Sequence, residues 1–166
     1  MAKVKGVKAL NKTVSKQLKP FGISKAQCTD SYAYYFDKNL VTFKITEDTV
    51  EDRWFMEFIK KRFGYTVKYP FIFSLLHEVG HSLANEEIVD SLYEFCIAEK
   101  ERIEKEMQTA NSTKSKELEF QYFNLPDEIM ATAWAVNYAK NHPKKIKKMW
   151  KKCEKSFHKF YAKNLD

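Results

Sequence analysis

Two of the four histidines, His77 and His81, stand four residues apart in PFIFSLLHEVGHSLANEE (residues 70–87), and Glu78 directly follows the first. On an α-helix the i and i+4 side chains share a face, so both imidazoles can reach one metal ion. Glu78 projects about 100° around the helix axis from His77. That direction suits a carboxylate acting on water beside the metal, the general base of a hydrolase, and not a third ligand. Gly80 leaves room for a close approach to the cleft, and Phe73, Leu76, Val79 and Leu83 offer an apolar surface to bury the helix. The competing reading is two histidines so spaced by accident. At average composition an HExxH arises by chance in a chain of this size about once in two hundred.

Catalytic zinc takes three protein ligands and keeps a fourth position open. A third histidine in the metzincin manner is excluded, because Ala84 and Glu87 stand where that extension needs Gly and His. His142 precedes Pro143 at a helix end, and His158 lies in a lysine-rich helix. Among the carboxylates, Glu128 opens a helix whose same-face followers are Ala131, Thr132, Ala135 and Ala139. Such a small-residue stripe permits the close packing that metal bonds of about 2 Å require. A first-turn acid serving the helix dipole is an equal reading on spacing alone, and Asp127 is the nearest rival ligand.

Several elements must hold these residues. Val7, Leu10, Val14 and Leu18 recur at helical spacing before Pro20 and Gly22. SYAYYFDKNLVTFKI reads as a β-hairpin from about Tyr32 to Ile45. A helix capped by Thr46 or Asp48 follows and ends at Gly64. The histidine helix runs from Pro70 toward Ala84. Residues 86–120 form two charge-rich helices separated by TANSTKS, with a thin stripe of Ile88, Leu92, Phe95, Ile103 and Met107. Pro126 and Pro143 bound the Glu128 helix. The last segment places Ile146, Met149, Trp150, Cys153, Phe157 and Phe160 on one face and lysines on the others. Five or six helices against one hairpin predict an α+β fold dominated by helix.

The chain has 166 residues, 44% of them hydrophobic and 15% aromatic, which suits one globular domain. We expect a single domain over 1–166, with a core at 30–143 and a basic C-terminal helix at 144–166. Three separated cysteines, Cys28, Cys96 and Cys153, argue against a disulfide framework and point to a reducing cytosol. No apolar run is long enough for a bilayer, so no membrane partner is expected. The acid-free stretch up to Thr29 also suits a transit peptide, although its basic residues are all Lys where Arg is expected. The net charge of +7 raises nucleic acid as a partner.

FSLLHEVGHSLAN, followed by EIMATAWAVNYAKNHP, resembles the ImmA/IrrE-type metallopeptidases among the gluzincin zinc proteases. Glu128, Ala131, Trp134 and Ala135 occupy the places of the family's second-helix pattern; Thr132 stands where the family usually has Asn. The resemblance implies a zincin-like fold, with a small sheet from the aromatic hairpin edging the cleft. It further implies zinc ligands His77, His81 and Glu128, Glu78 as general base, a protein or peptide substrate such as a repressor, and an origin in phage or mobile elements. A further donor should stabilise the oxyanion, with Tyr65, Tyr69 and Tyr138 as unranked candidates. Two other classes compete. One is a non-catalytic zincin-fold binding module, which would have no use for Glu78. The other is a nucleic-acid-associated protein using HPKKIKKMWKKCEKSFHKFYAK, which has lysines for phosphate but no arginine to read a base edge.

Overall fold

Three short strands and seven α-helices make up residues 6–45, 50–84 and 90–162, the parts of the computed structural model described here. The class is α+β, mostly helical, as the sequence predicts. The helix caps expected at Thr46 and Asp48, and the stripe residue Ile88, lie outside the described residues.

Helix α1 (Val7–Leu18) buries Leu10, Val14 and Leu18 at successive turns. A single 3-10 turn at Lys19–Phe21 follows it, and Gly22 closes that turn at φ +85, where a side chain would be strained. The expected hairpin forms from β2 (Ala33–Tyr35) and β3 (Leu40–Phe43), antiparallel with Tyr34 opposite Val41. The sheet is nevertheless mixed, because β1 (Lys25–Cys28) pairs with β3 in parallel and gives the order β1-β3-β2. Only Ala26 of β1 is fully buried, so it has no alternating apolar signal. Tertiary contacts supply what patterning does not. Asn11 Oδ1 and Ser15 Oγ of α1 accept the Cys28 and Ala26 amides at 2.9 and 2.8 Å, satisfying the strand's outer edge. Leu10, Val14, Leu18, Ile23 and Ala26 of the acid-free stretch are thus part of the core.

Helix α2 is Val50–Phe63 and α3 is Pro70–Ala84. Every residue of α3 from Ile72 to Gly80 is buried, whereas Leu83, expected to help bury the helix, is 39% exposed. Helix α6 (Pro126–Asn141) crosses α3 on the predicted small face of Ala131, Thr132, Ala135 and Ala139, all buried. Gly80 serves this crossing and not the cleft. A Cβ there would lie 2.5 Å from the Ala131 carbonyl oxygen, a backbone atom that cannot turn aside. Gly80→Ala should therefore separate the two helices, costing about 1–3 kcal/mol of stability and weakening any metal binding that spans them. Thermal melts beside a zinc titration check both effects.

Helices α4 (Asp90–Met107) and α5 (Ser112–Phe123) pair around Ile103 and Leu118, which meet Leu125 in a small cluster of their own. The loop between them is shorter than TANSTKS suggests, because Asn111 caps α5 by accepting the Lys114 amide at 2.9 Å. The expected stripe is also revised: Phe95 is 51% exposed, and Cys96 is buried in its place. Helix α7 (Pro143–Tyr161) buries Ile146, Met149 and Cys153, and its eight lysines are exposed. It packs beside α1, where Ser156 Oγ and Thr13 Oγ1 are 2.8 Å apart.

Candidate metal centre

The α3–α6 crossing brings His77 and His81 from one helix against Glu128 from the other. His77 Nε2 lies 3.0 Å from Glu128 Oε2 and 3.1 Å from His81 Nε2, and His81 Nε2 lies 3.4 Å from Glu128 Oε1. Zinc bonds of about 2.0–2.1 Å place tetrahedral ligand atoms about 3.3 Å apart, so these separations fit one shared cation. Among the described residues these three form the group able to hold a metal ion. The donor set of two imidazoles and a carboxylate is one that zinc accepts in catalytic sites.

The neighbours of the ligands reinforce that fit. Thr132 Oγ1 stands 3.1 Å from His77 Nδ1 and can accept its proton, leaving the Nε2 lone pair directed at the cluster. Phe55 sets its ring edge-on to His77, with centroids 5.1 Å apart. Thr132→Val keeps the shape and removes the acceptor, so metal affinity should fall about 10–100-fold. Competition with a chelator measures it, and an unchanged constant would deny Thr132 this orienting role.

Burial alone would raise the Glu128 carboxyl, but the His81 and His77 imidazoles outweigh it and hold the group well below the usual carboxylate range. Glu128 is therefore an anion inside the protein. Asp127, the rival ligand, has a different task. It pairs with Lys100 of α4, whose ammonium also lies 2.5 Å from Glu128 Oε1. Burial would discharge Lys100, yet the Glu128 and Asp127 carboxylates beside it keep it protonated. His142 stacks on Tyr138, with centroids 4.3 Å apart, and its Nδ1 donates to the Tyr138 carbonyl at 3.1 Å. It is not in the cluster, and neither is His158.

Glu78 faces the same cavity, of about 670 Å³, without joining the three ligand atoms. Burial pushes its carboxyl up to about 7, while His77, Lys100 and a hydrogen bond from the Tyr34 amide of β2 oppose the rise. The sheet edge and the HExxH helix are thereby tied at the residue best placed to move a proton. Tyr65, Tyr69 and Tyr138 do not line this cavity; Tyr32, Tyr34, Tyr93 and Tyr122 do. Lys100 lies in one of the two charge-rich helices read from residues 86–120 and was not singled out there. A signal was available: Tyr93, Ile97, Lys100 and Glu104 fall on one face of α4, and that face lines the cavity.

No helix among the described residues is long and apolar enough to cross a membrane. Searches against protein-family models, curated proteins and solved structures found no match to this chain.

Proposed function

We propose that the protein is a zinc-dependent endopeptidase, and the convergence of His77, His81 and Glu128 beside a separate buried carboxylate, Glu78, carries that reading. Charge supports a divalent ion. Three carboxylates, Glu78, Asp127 and Glu128, are nine-tenths or more buried against the single ammonium of Lys100. With the Glu78 carboxyl pushed up to about 7, the group keeps between one and two negative charges for a cation to balance, and unpaired buried charge is strongly disfavoured. Held by His77, His81 and Glu128, zinc would supply Lewis-acid polarisation of a carbonyl and of water.

The chain's own residues do the rest. Glu78 accepts a proton from the attacking water and delivers it to the amine that leaves when the C–N bond breaks. The outer edge of β2, an end strand of the sheet, keeps backbone groups other than the Tyr34 amide for an extended peptide, which would add as a strand. Lys100 and Tyr122 stand on the other wall of the cavity as donors for a developing oxyanion. A regulatory protein such as a repressor as substrate, and a phage or mobile-element origin, rest on the ImmA/IrrE resemblance alone. The cytosol rests on the cysteine usage.

The nucleic-acid reading is less favoured, because the apolar face of α7 is packed into the core and its lysines form an ordinary exposed face. The test is digestion of casein and of a mixed peptide library by zinc-loaded protein. Cleavage that a chelator removes and zinc restores is the expected result. Zinc binding without cleavage of any substrate would favour the binding module. Purification with iron in place of zinc would move the same donor set to oxidative chemistry.

A further inference from the structure

A second cavity, of about 770 Å³, lies beside the first, and the catalytic reading makes no use of it. Its apolar walls are Met56 of α2, Tyr69 and Phe71 at the start of α3, and Trp150 and Phe157 of α7. These large side chains are only partly buried. The rings brace one another: Tyr69 stacks on Trp150 at 6.0 Å, and Phe71 meets Phe157 edge-on at 4.8 Å. A wall fixed in this way has little freedom left to lose when a ligand enters. The two cavities share Tyr32, Lys44, Asp52 and Ser74, so they meet along that line.

The spacing of lining residues along α3 says how a peptide would span both. Ser74 and Tyr32 line both cavities, and Glu78, one helical turn further along α3 than Ser74, lines the first. Four helical residues rise about 6 Å and two residues of an extended peptide span about 6.6 Å, so the step from Glu78 to Ser74 matches two residues of a bound peptide. A strand added at the outer edge of β2 repeats the two-residue period. With one peptide residue at Glu78, the next residue on the same face reaches Ser74, where the two cavities join. That is the mouth of the aromatic cavity.

We infer that this cavity is a specificity pocket for one large apolar side chain of the substrate, of the Phe, Trp, Leu or Met class. That side chain belongs to the residue two positions from the one presented to Glu78. The inference rests on the peptidase reading, and it gives α7, which lies beyond the stretch of family resemblance, an inward-facing role through Trp150 and Phe157.

Binding is read first, with zinc-loaded Glu78→Gln protein so that nothing is turned over. The probes are two acetylated, amidated pentapeptides, one all alanine and one with a single central phenylalanine. The phenylalanine peptide should bind about ten-fold tighter and shift the indole N–H signal of Trp150, assigned through Trp150→Phe. Met56→Trp, which fills the cavity, and Trp150→Ala, which opens it, should each remove most of that preference while zinc uptake stays unchanged. Cleavage is read second: a library digested by wild type should show large apolar residues enriched at one position, two residues from the one bearing the cut carbonyl. Equal binding of the two peptides, an unmoved Trp150 signal, or cleavage without that enrichment would overturn the pocket while leaving the peptidase reading intact. A shifted Trp150 signal with no cleavage of any peptide would end the peptidase reading and keep the pocket as a binding site.

Discussion

Glu78→Gln should hold zinc as tightly as the wild type and hydrolyse peptides about 10²–10⁴-fold more slowly. The amide has nearly the shape of the carboxylate and can still accept the Tyr34 amide hydrogen bond that ties β2 to α3. It cannot take a proton from water. The fold should therefore survive: Glu78 lies on α3 between neighbours that are themselves buried, and the substitution removes a buried charge without opening a cavity. Three readings are needed together, namely a thermal melt, zinc affinity by chelator competition and the cleavage rate. Cleavage persisting at the wild-type rate would end the general-base assignment. A large fall in zinc affinity would mean that Glu78 is a ligand, against the geometry in which it stands apart from the three convergent atoms.

Glu128→Ala should lower zinc affinity by more than the 10–100-fold typical of losing a ligand's hydrogen-bond partner, and activity should fall with it. Two effects add. One ligand atom is lost, and the Lys100 ammonium, 2.5 Å from Glu128 Oε1, loses one of its two counter-charges and then opposes any cation at the cluster. Asp127→Asn is the control. Asp127 anchors Lys100 but supplies no atom to the cluster, so this variant should keep zinc. If Glu128 were only a first-turn acid, its loss would cost roughly 0.3–1 kcal/mol of stability and leave the metal in place. Zinc affinities of Glu128→Ala and Asp127→Asn separate the cases, and the reverse order would move the third-ligand role to Asp127.

Lys100 shows why these two neighbouring acids behave so differently. Both open α6 and both are buried, so neither composition nor helix position tells them apart. Their directions do: Glu128 faces α3 and the imidazoles, and Asp127 faces α4 and the ammonium. The sequence showed α4 as a charge-rich helix with a thin apolar stripe. It could not show that one lysine of that helix points into the site.

What the sequence alone determined is local. The four-residue spacing of His77 and His81 fixes a common face once a helix forms, and the apolar run before them ensures burial of that helix. The small-residue face of α6 was legible for the same reason, as was the β2–β3 pair around Asp37–Asn39. Periodicity in one segment carries all of this. What only the tertiary structure decided depends on two segments meeting. The choice of Glu128 over Asp127, the Thr132 hydroxyl at His77 Nδ1, and Lys100 between the two carboxylates are of this kind. So are the absence of Cβ at Gly80 against the Ala131 backbone and the strand β1, whose edge is completed by Asn11 and Ser15. The physical reason is range. Hydrogen bonds and ion pairs act over about 3 Å, and which side chains come that close is set by how helices cross and strands pair, not by their distance along the chain.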